Sequence, residues 1–290
     1  MRIFLDSKDL INLVRRSEPF GVDAADAWLR ERNAFIVLCH TSVSEFVPVA
    51  TNDRLRVRWE LQQLERLPTL YIRLGDLSRA ELLHAVAAYA ARAPAVAVEP
   101  FVEAFWQTFW EFDPSSGEDV AITRQLERRV GFRLDEQIDM LWTRPENFMN
   151  TQLTADSLQQ ILDRQRRRTP HERFTNDLVA ASEDCETILG SDFEPFVKWL
   201  QETPRATPAW RLFWQASEEL MLNREDVAKP GDVRDLTHVS VVPYVDAATL
   251  DGRFLSYTRQ AAAKLRRIDA SIDYEGRLFR SFDAIVKHYS

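Results

Sequence analysis

The apolar positions at the start of the chain predict two strands separated by helices. Residues 2–5 (RIFL) form a short apolar run that ends at Asp6, and residues 8–16 (KDLINLVRR) then carry apolar side chains at helical spacing. A second helical pattern, DAADAWLRER, follows, and residues 34–39 (AFIVLC) form a second apolar run with β-branched side chains. Strand, helix and strand in this order are typical of an α/β sheet with parallel strands.

Residues 52–225 have a different pattern, in which long charged stretches with helical periodicity alternate with prolines. RAELLHAVAAYAARA and DSLQQILDRQRRR are two examples, each with apolar residues on one helical face. The pattern predicts roughly six to nine helices. Because no fixed period repeats along this stretch, a solenoid is not expected.

The α/β pattern returns near the end of the chain. DVRDLTHVSVV (232–242) predicts a helix, DAATLD (246–251) a short strand, and FLSYTRQAAAKL a further helix. ASIDY is a candidate last strand, and RLFRSFDAIVKHY is a candidate C-terminal helix.

These patterns together predict the fold class and the domains. The expected fold is α/β, with a mainly parallel central sheet that both chain ends build and with a large all-helical insertion between them. The first domain is therefore discontinuous, with residues 1–51 and 226–290, and the insertion comprises residues 52–225. The two ends carry as many basic as acidic residues, so the net charge of −8 arises in the insertion.

Composition narrows the class of protein. At 45% hydrophobic and 28% charged residues, the chain has the composition of a globular protein, and no stretch approaches the roughly 20 apolar residues of a membrane span. Cys39 and Cys185 have neither a metal-ligand nor a redox spacing. We therefore expect a cytoplasmic protein without a membrane partner. Its acidic balance provides no bulk attraction to nucleic acid, although a local basic groove remains compatible with it.

Several acids stand where predicted strands end or predicted helices begin. In an open parallel sheet the carboxyl ends of neighbouring strands lie together, and binding sites occur at that edge. Carboxylates that converge there repel one another unless a hard cation such as Mg²⁺ or Mn²⁺ lies between them. The acids are Asp6, Glu45, Asp232, Asp235, Asp246 and Asp251.

Each of these acids also has a structural alternative. Glu45 stands three residues after Ser42, which is the spacing of a capping box. Asp232 precedes a helical pattern and is a candidate N-cap. His238 shares a helical face with Asp235 at a spacing of three, and it either packs in the core or orients that acid.

Three segments resemble the PIN-domain ribonucleases, a family that includes the toxin nucleases of bacterial toxin–antitoxin pairs and is related to flap-type nucleases. The segments are RIFLDS, the glutamate of TSVSEF, and DLTHVSVVPYVDAATLDGRF. The third is the most specific, since it combines Asp-x-x-His, Pro-Tyr-x-Asp, and a strand with threonine before a final aspartate. The resemblance implies a PIN-like three-layer fold.

The resemblance also implies an activity, that of a Mg²⁺- or Mn²⁺-dependent endoribonuclease in which an acidic cluster holds the ion and a metal-activated water attacks RNA. The implied quartet is Asp6, Glu45, Asp235 and Asp251. Asp246 is an additional implied metal ligand, and Asp232 is an alternative to Asp235. The implied supporting residues are Ser7, His238 and Thr249. A toxin or defence setting with a protein inhibitor is compatible with this family.

Two further stretches are candidates for nucleic-acid contact. RQRRRTPHERF (164–174) is the best local basic patch, and its Arg166, Arg167 and Arg168 either bind phosphate or form a solvated helix end. The aromatic stretch FVEAFWQTFWEF is better explained as core or interface, because its rings follow a wide helical stripe.

Two rival functions remain open at this point. One is a non-catalytic PIN-like scaffold whose helical region binds a protein partner. The other is a flap-type nuclease that acts on DNA, because nothing in the sequence reads a 2′-hydroxyl.

Overall fold

The computed structural model describes residues 1–15, 21–46, 54–74, 77–95, 98–102, 105, 155–229 and 231–290. The chain divides into two compact units. The first unit contains Met1–Gly75, Phe101–Thr151 and Ser281–Ser290, and the second contains Asp76–Pro100 and Gln152–Arg280.

The strands of the described residues form one mixed, mostly parallel sheet in the order β4-β3-β2-β1-β5-β6. They are β1 (Arg2–Phe4), β2 (Phe35–Leu38), β3 (Thr69–Ile72), β4 (Phe101–Val102), β5 (Ala247–Thr249) and β6 (Leu278–Phe279). The pairs β1–β2, β2–β3 and β5–β6 are parallel, and β3–β4 is antiparallel. The prediction of an α/β protein with a mainly parallel sheet is therefore confirmed.

The helices come from the amphipathic stretches that the sequence shows. Those in the described residues are α1 (Ser7–Arg15), α2 (Val22–Glu31), α3 (His40–Ser44), α4 (Arg54–Leu64), α5 (Leu77–Ala91), α6 (Ala155–Gln165), α7 (Pro170–Ala181), α8 (Glu183–Leu189), α9 (Phe193–Glu202), α10 (Pro208–Leu222), α11 (Asp232–Val239), α12 (Gly252–Ile268) and α13 (Phe282–Tyr289). None of the helices in the described part of the chain combines the length and the apolar character that crossing a membrane requires.

The first unit is built around its parallel strands. Ile3 and Phe4 of β1 and Ile36 and Val37 of β2 are fully buried, as is expected of parallel strands that are covered on both faces. Phe4 is paired with Val37 in the register of the two strands. The strands therefore end together, and the turns that follow them start from the same edge of the sheet.

The second unit has an aromatic helical core. Phe174 of α7 packs edge-on against Trp210 and Trp214 of α10, with ring centroids 5.0 Å and 4.9 Å apart. Phe196 of α9 is fully buried in the same cluster. Aromatic pairs of this geometry stabilise a core beyond the area that they bury.

Two strands overturn the prediction that residues 52–225 are all helical. β3 (Thr69–Ile72) and β4 (Phe101–Val102) lie inside that range. β3 follows Pro68 and contains β-branched and aromatic residues, which favour a strand, but the helical patterns around it obscure so short a run. The division into residues 1–51 with 226–290 and residues 52–225 stays a prediction. Residues 103, 104 and 106–112 of the aromatic stretch lie outside the described residues.

The end of the chain also differs from its predicted elements. The last strand is β6 (Leu278–Phe279) and not ASIDY, and it occupies the start of the stretch predicted as a C-terminal helix. Helix α13 begins only at Phe282, because Ser281 caps it: the Ser281 Oγ accepts a hydrogen bond from the Ala284 backbone N–H.

Candidate metal centre

Asp6 lies at the junction of β1 and α1. Its backbone carbonyl accepts hydrogen bonds from the N–H groups of Asp9 and Leu10 at 2.8 Å and 3.0 Å, and so opens the helix. Its residue surface is only 8% exposed. The strand is buried at Ile3 and Phe4. It therefore places the nearly buried Asp6 carboxylate where β1 ends, beside the positively polarised N-terminus of α1.

Ser7 ties the first turn to the turn after β2. Its buried hydroxyl donates a 3.3 Å hydrogen bond to the Ser42 carbonyl. Ser42 in turn accepts from the Cys39 N–H at 3.1 Å, as the third residue of α3. The alternative of a capping box between Ser42 and Glu45 is therefore wrong: Cys39 is the N-cap, and the partly buried Glu45 lies at the C-terminal end of this short helix.

Helix α11 carries the other candidate residues of this centre. Gly231 precedes the helix with φ of 98°, a left-handed conformation that favours glycine, and the Gly231 carbonyl accepts from the Asp235 N–H at 3.1 Å. His238 is fully buried and Asp235 is partly buried. Their spacing of three puts both side chains on one face of the helix.

Asp6, Asp235 and His238 form a group that is able to hold a metal ion. Each contributes one ligand atom, and these atoms all lie within 4.8 Å of one another. Among the described residues, Glu45, Asp246 and Asp251 lie outside this group. Two carboxylates this close repel each other, and a cation between them removes the repulsion.

The donor set of this group favours some ions over others. Carboxylate oxygens alone suit Mg²⁺, whereas an imidazole nitrogen is a better ligand for Mn²⁺ and later divalent metals. A group that includes the imidazole of His238 would therefore suit Mn²⁺ and later divalent metals better than Mg²⁺. The sequence indicated the spacing of His238, but assigned it only a supporting role.

Asp232 has a different role in the structure. Its Oδ1 accepts a 2.9 Å hydrogen bond from Nη1 of Arg253, and its Oδ2 accepts from the Lys229 N–H at 2.7 Å. Its side chain is 4% exposed. Asp232 is the first residue of α11 and not its N-cap, since Gly231 holds that position. Of the two acids between which the sequence left a choice, Asp235 belongs to the group and Asp232 is bound to an arginine.

The remaining predicted acids surround strand β5. Asp246, which precedes the strand, is exposed. Thr249 is fully buried in β5. Asp251 is exposed and caps α12, because its Oδ1 accepts from the Arg253 N–H at 2.9 Å. The assignment of Asp246, Asp251 and Glu45 as metal ligands stays a prediction.

In the basic run at the end of α6, one arginine is hydrogen-bonded within the protein and the other two are exposed. Arg166 donates from Nε to the Met221 carbonyl at 2.8 Å and from Nη1 to Asp163 at 2.7 Å. Its side chain is 17% exposed. Arg167 and Arg168 are exposed. Contact of these arginines with nucleic acid stays a prediction, and for Arg166 the structure shows a capping role at the end of α10.

Glu81 is a buried acid that the sequence analysis missed. Its two carboxylate oxygens accept 2.9 Å hydrogen bonds from the N–H groups of Ala209 and Trp210, in the first turn of α10. Tyr244 donates its hydroxyl to the same carboxylate. Burial raises the pKa of Glu81 to about 7, while the hydrogen bonds from Trp210, Tyr244 and Ala209 lower it. The sequence signal for a buried acid was the position of Glu81 on the apolar face of α5, four residues after Leu77.

The segment after α11 is also held by Arg277. Its Nη1 donates to the backbone carbonyls of Pro243 at 2.9 Å and Val245 at 3.1 Å. Together with the Tyr244–Glu81 hydrogen bond, this contact fixes the chain between α11 and β5. These contacts therefore restrain the backbone between His238 in α11 and Asp246, which precedes β5.

Comparison of the chain with protein-family models, with curated proteins and with solved structures gives no match. The arrangement of Asp6, Asp235 and His238 is thus the observation on which a functional assignment depends. The resemblance to PIN-domain ribonucleases stays an expectation from the sequence motifs.

Proposed function

We propose that the chain is a divalent-metal-dependent nuclease in which Asp6, Asp235 and His238 bind the ion. The single observation that carries this proposal is the close approach of these three ligand atoms, within 4.8 Å of one another. The position of Asp6 directly after a parallel strand supports it, since open α/β sheets place their sites at that edge.

The chemistry of the group fits phosphodiester hydrolysis. A bound divalent ion would lower the pKa of a water molecule and neutralise charge on the phosphate. The chain contributes position and charge: Asp6 is nearly buried at the end of a strand, and His238 is fully buried within a helix. Buried ligands lose little rotamer freedom on binding, so the group is organised before the ion arrives.

RNA is the proposed substrate, and the resemblance of the chain ends to PIN-domain ribonucleases supports this choice over DNA. The same resemblance supports a PIN-like fold, endonucleolytic cleavage, and Glu45 and Asp251 as additional acids of the centre. The exposure of Asp246 and Asp251 is compatible with a second, more weakly held ion at the solvent side.

Cleavage assays with matched variants test the proposal. Labelled single-stranded RNA and DNA are incubated with the wild type and Mn²⁺ or Mg²⁺, and with Asp6→Asn and Asp235→Asn. Asp192→Asn is the control, because Asp192 is exposed and its side chain makes no capping hydrogen bond at the N-terminus of α9. We expect RNA cleavage with Mn²⁺, a loss of at least roughly 100-fold in both site variants, and no loss in the control.

Thermal melting with Mn²⁺ separates the nuclease from the non-catalytic scaffold. An ion that binds only the folded chain raises the melting temperature. The wild type should gain stability with Mn²⁺, and Asp235→Asn should not. A wild type that neither gains stability nor cleaves would support the scaffold, and cleavage that survives both site substitutions would refute the assignment.

A further inference from the structure

Helix α4 exposes an apolar and aromatic strip on the first unit. Leu55 is 80% exposed and Trp59 is 49% exposed, and the two are one helical turn apart. On the opposite face, Val57, Leu61 and Leu64 are fully buried. The helix therefore has an inner face that holds the fold and an outer strip that the core does not require.

Two arginines lie beside this strip and share one buried acid. Oε1 of Glu60 accepts from Nε of Arg15 at 2.6 Å and forms an ion pair with Nε of Arg56 at 3.2 Å. The Glu60 side chain is 1% exposed, whereas the two arginine side chains are 44% and 45% exposed. One buried carboxylate thus anchors two half-exposed guanidinium groups.

The anchoring leaves the outer part of a guanidinium available. Arg15 uses Nε for Glu60, and its Nη1 and Nη2 groups have no acceptor among the described residues. An arginine held in this way keeps a planar pair of donors that fits two oxygens of a phosphate. Arg56 is next to Leu55 and three residues before Trp59, so it belongs to the same helix surface.

Helix α1 links this surface to Asp6. Asp6 directly precedes the helix and Arg15 is its last residue. With a rise of about 1.5 Å per residue, the helix separates the two ends by roughly 12 Å. A short single-stranded segment bridges such a distance.

We propose that Leu55, Trp59, Arg56 and Arg15 form a docking surface for single-stranded nucleic acid that leads toward Asp6. Bases stack on the exposed indole of Trp59 and contact Leu55, and phosphates pair with the arginines. The combination of an exposed aromatic ring with anchored arginines favours a polyanion with flat, unpaired bases over an apolar protein helix. The choice of RNA as the polymer rests on the proposed function.

The alternative basic run at the end of α6 is less suited to this task. Arg166 there is bound to the Met221 carbonyl and to Asp163. Arg167 remains exposed and provides a test of that run with the same charge change.

Binding measured without metal tests the surface independently of cleavage. The anisotropy of a labelled single-stranded RNA, alone and annealed to its complement, is titrated in EDTA with wild type, Trp59→Ala, Trp59→Phe, Arg15→Gln and Arg167→Gln. Trp59→Ala should weaken single-strand binding by roughly 5- to 150-fold, which corresponds to the loss of one stacked base. Trp59→Phe should restore most of it, and the duplex should be affected much less.

Arg15→Gln should change the salt dependence of RNA binding. Loss of one phosphate contact lowers the slope of log affinity against log salt by about 0.7 for a single strand. If Arg15→Gln lowers the melting temperature, Arg56→Gln repeats the test, because Glu60 then keeps Arg15 as its partner. Arg167→Gln makes the same charge change in the competing run at the end of α6, and it should lower affinity and slope less than Arg15→Gln does.

Four results would overturn the inference. Single-strand binding that Trp59→Ala leaves intact removes the surface, and loss of binding in Arg167→Gln assigns it to the α6 run. A dimer in solution that Trp59→Ala dissociates assigns the strip to a second copy of the chain. If RNA binding depends on Trp59 but the protein cleaves nothing, the docking surface is supported and the proposed nuclease is refuted. If the protein cleaves RNA and Trp59→Ala has no effect on cleavage, the nuclease is supported and the docking surface is refuted.

Discussion

Arg253 and Asp232 form a nearly buried ion pair, with Nη1 of the arginine 2.9 Å from Oδ1 of the aspartate. Arg253 also donates from Nε to Asp226, so one guanidinium joins the loop before α11 to the start of α12. Asp232 is therefore paired with an arginine, whereas Asp235, three residues later in α11, is one of the three residues of the candidate metal group.

Replacement of Arg253 by methionine should destabilise the protein by about 3 kcal/mol. The substitution leaves the buried Asp232 carboxylate without its partner, which is the costly way to break a buried ion pair. Urea unfolding measures the loss, with the exposed Arg267→Met as the control that should change stability by less than about 0.5 kcal/mol. Adding Asp232→Asn to Arg253→Met should recover part of the loss, and equal stability of wild type and Arg253→Met would contradict the role of the pair.

Replacement by methionine should affect the stability of the protein differently at two buried arginines of the second unit, Arg211 and Arg173. Arg211 is 4% exposed, and its Nε and Nη1 have no hydrogen-bond partner among the described residues. Burial lowers the pKa of Arg211 to about 10, against an opposing contribution from Glu218. Because its aliphatic and stacking contacts with Phe174 and Trp214 can be replaced by a thioether, Arg211→Met should be neutral or stabilising by about 1 kcal/mol.

Arg173→Met is the matched comparison for Arg211→Met. Arg173 forms two 2.7 Å hydrogen bonds with the Glu218 carboxylate, and both side chains are nearly buried. Its loss should cost about 3 kcal/mol, since Glu218 keeps its charge without a partner. Urea midpoints of the two variants decide the matter: if Arg211→Met is the more damaging, the assignment of structural roles is wrong.

Glu81 should make stability fall as the pH rises toward neutrality. Its pKa in the folded protein, about 7, is above the ordinary value of 4.5, so the folded state binds the proton more tightly than the unfolded state does. The contribution is complete below about pH 4.5 and is lost as the pH passes 7, which amounts to about 3 kcal/mol. Urea unfolding between pH 4.5 and 8 should show this slope in the wild type and not in Glu81→Gln, and parallel curves for the two proteins would disprove it.

His238 should determine which ion the centre prefers. His238→Asp replaces the nitrogen ligand by a third carboxylate, so the site becomes an all-oxygen site that suits Mg²⁺. We expect the gain in melting temperature with Mn²⁺ to decrease, and the gain with Mg²⁺ to increase, relative to wild type. His238→Asn in the same titrations shows whether loss of the imidazole alone has this effect, and an unchanged order of ions in both variants would exclude His238 as a ligand.

The strands and helices near the chain ends were predictable because each has a complete local signal. β1 and β2 are apolar runs followed by helix starts, and the observed β1, α1, α2 and β2 agree with the predicted pattern. β3 was missed because four residues between helical stretches carry too little pattern of their own. The capping box of Ser42 with Glu45, the structural alternative for Glu45, did not form because a capping-box spacing does not show where a short helix begins, and here Cys39 is the N-cap.

The amino-acid sequence by itself determined the α/β class and the residue types available for chemistry, because hydrophobic period and residue spacing act over a few neighbours. It also identified Asp6, Asp235 and His238 as candidates. Only the tertiary structure decided that these three ligand atoms lie together, that Arg253 binds Asp232, and that Glu81 caps a helix more than a hundred residues away. Contacts between residues distant in the chain depend on how helices and strands pack, and a local pattern does not contain that information.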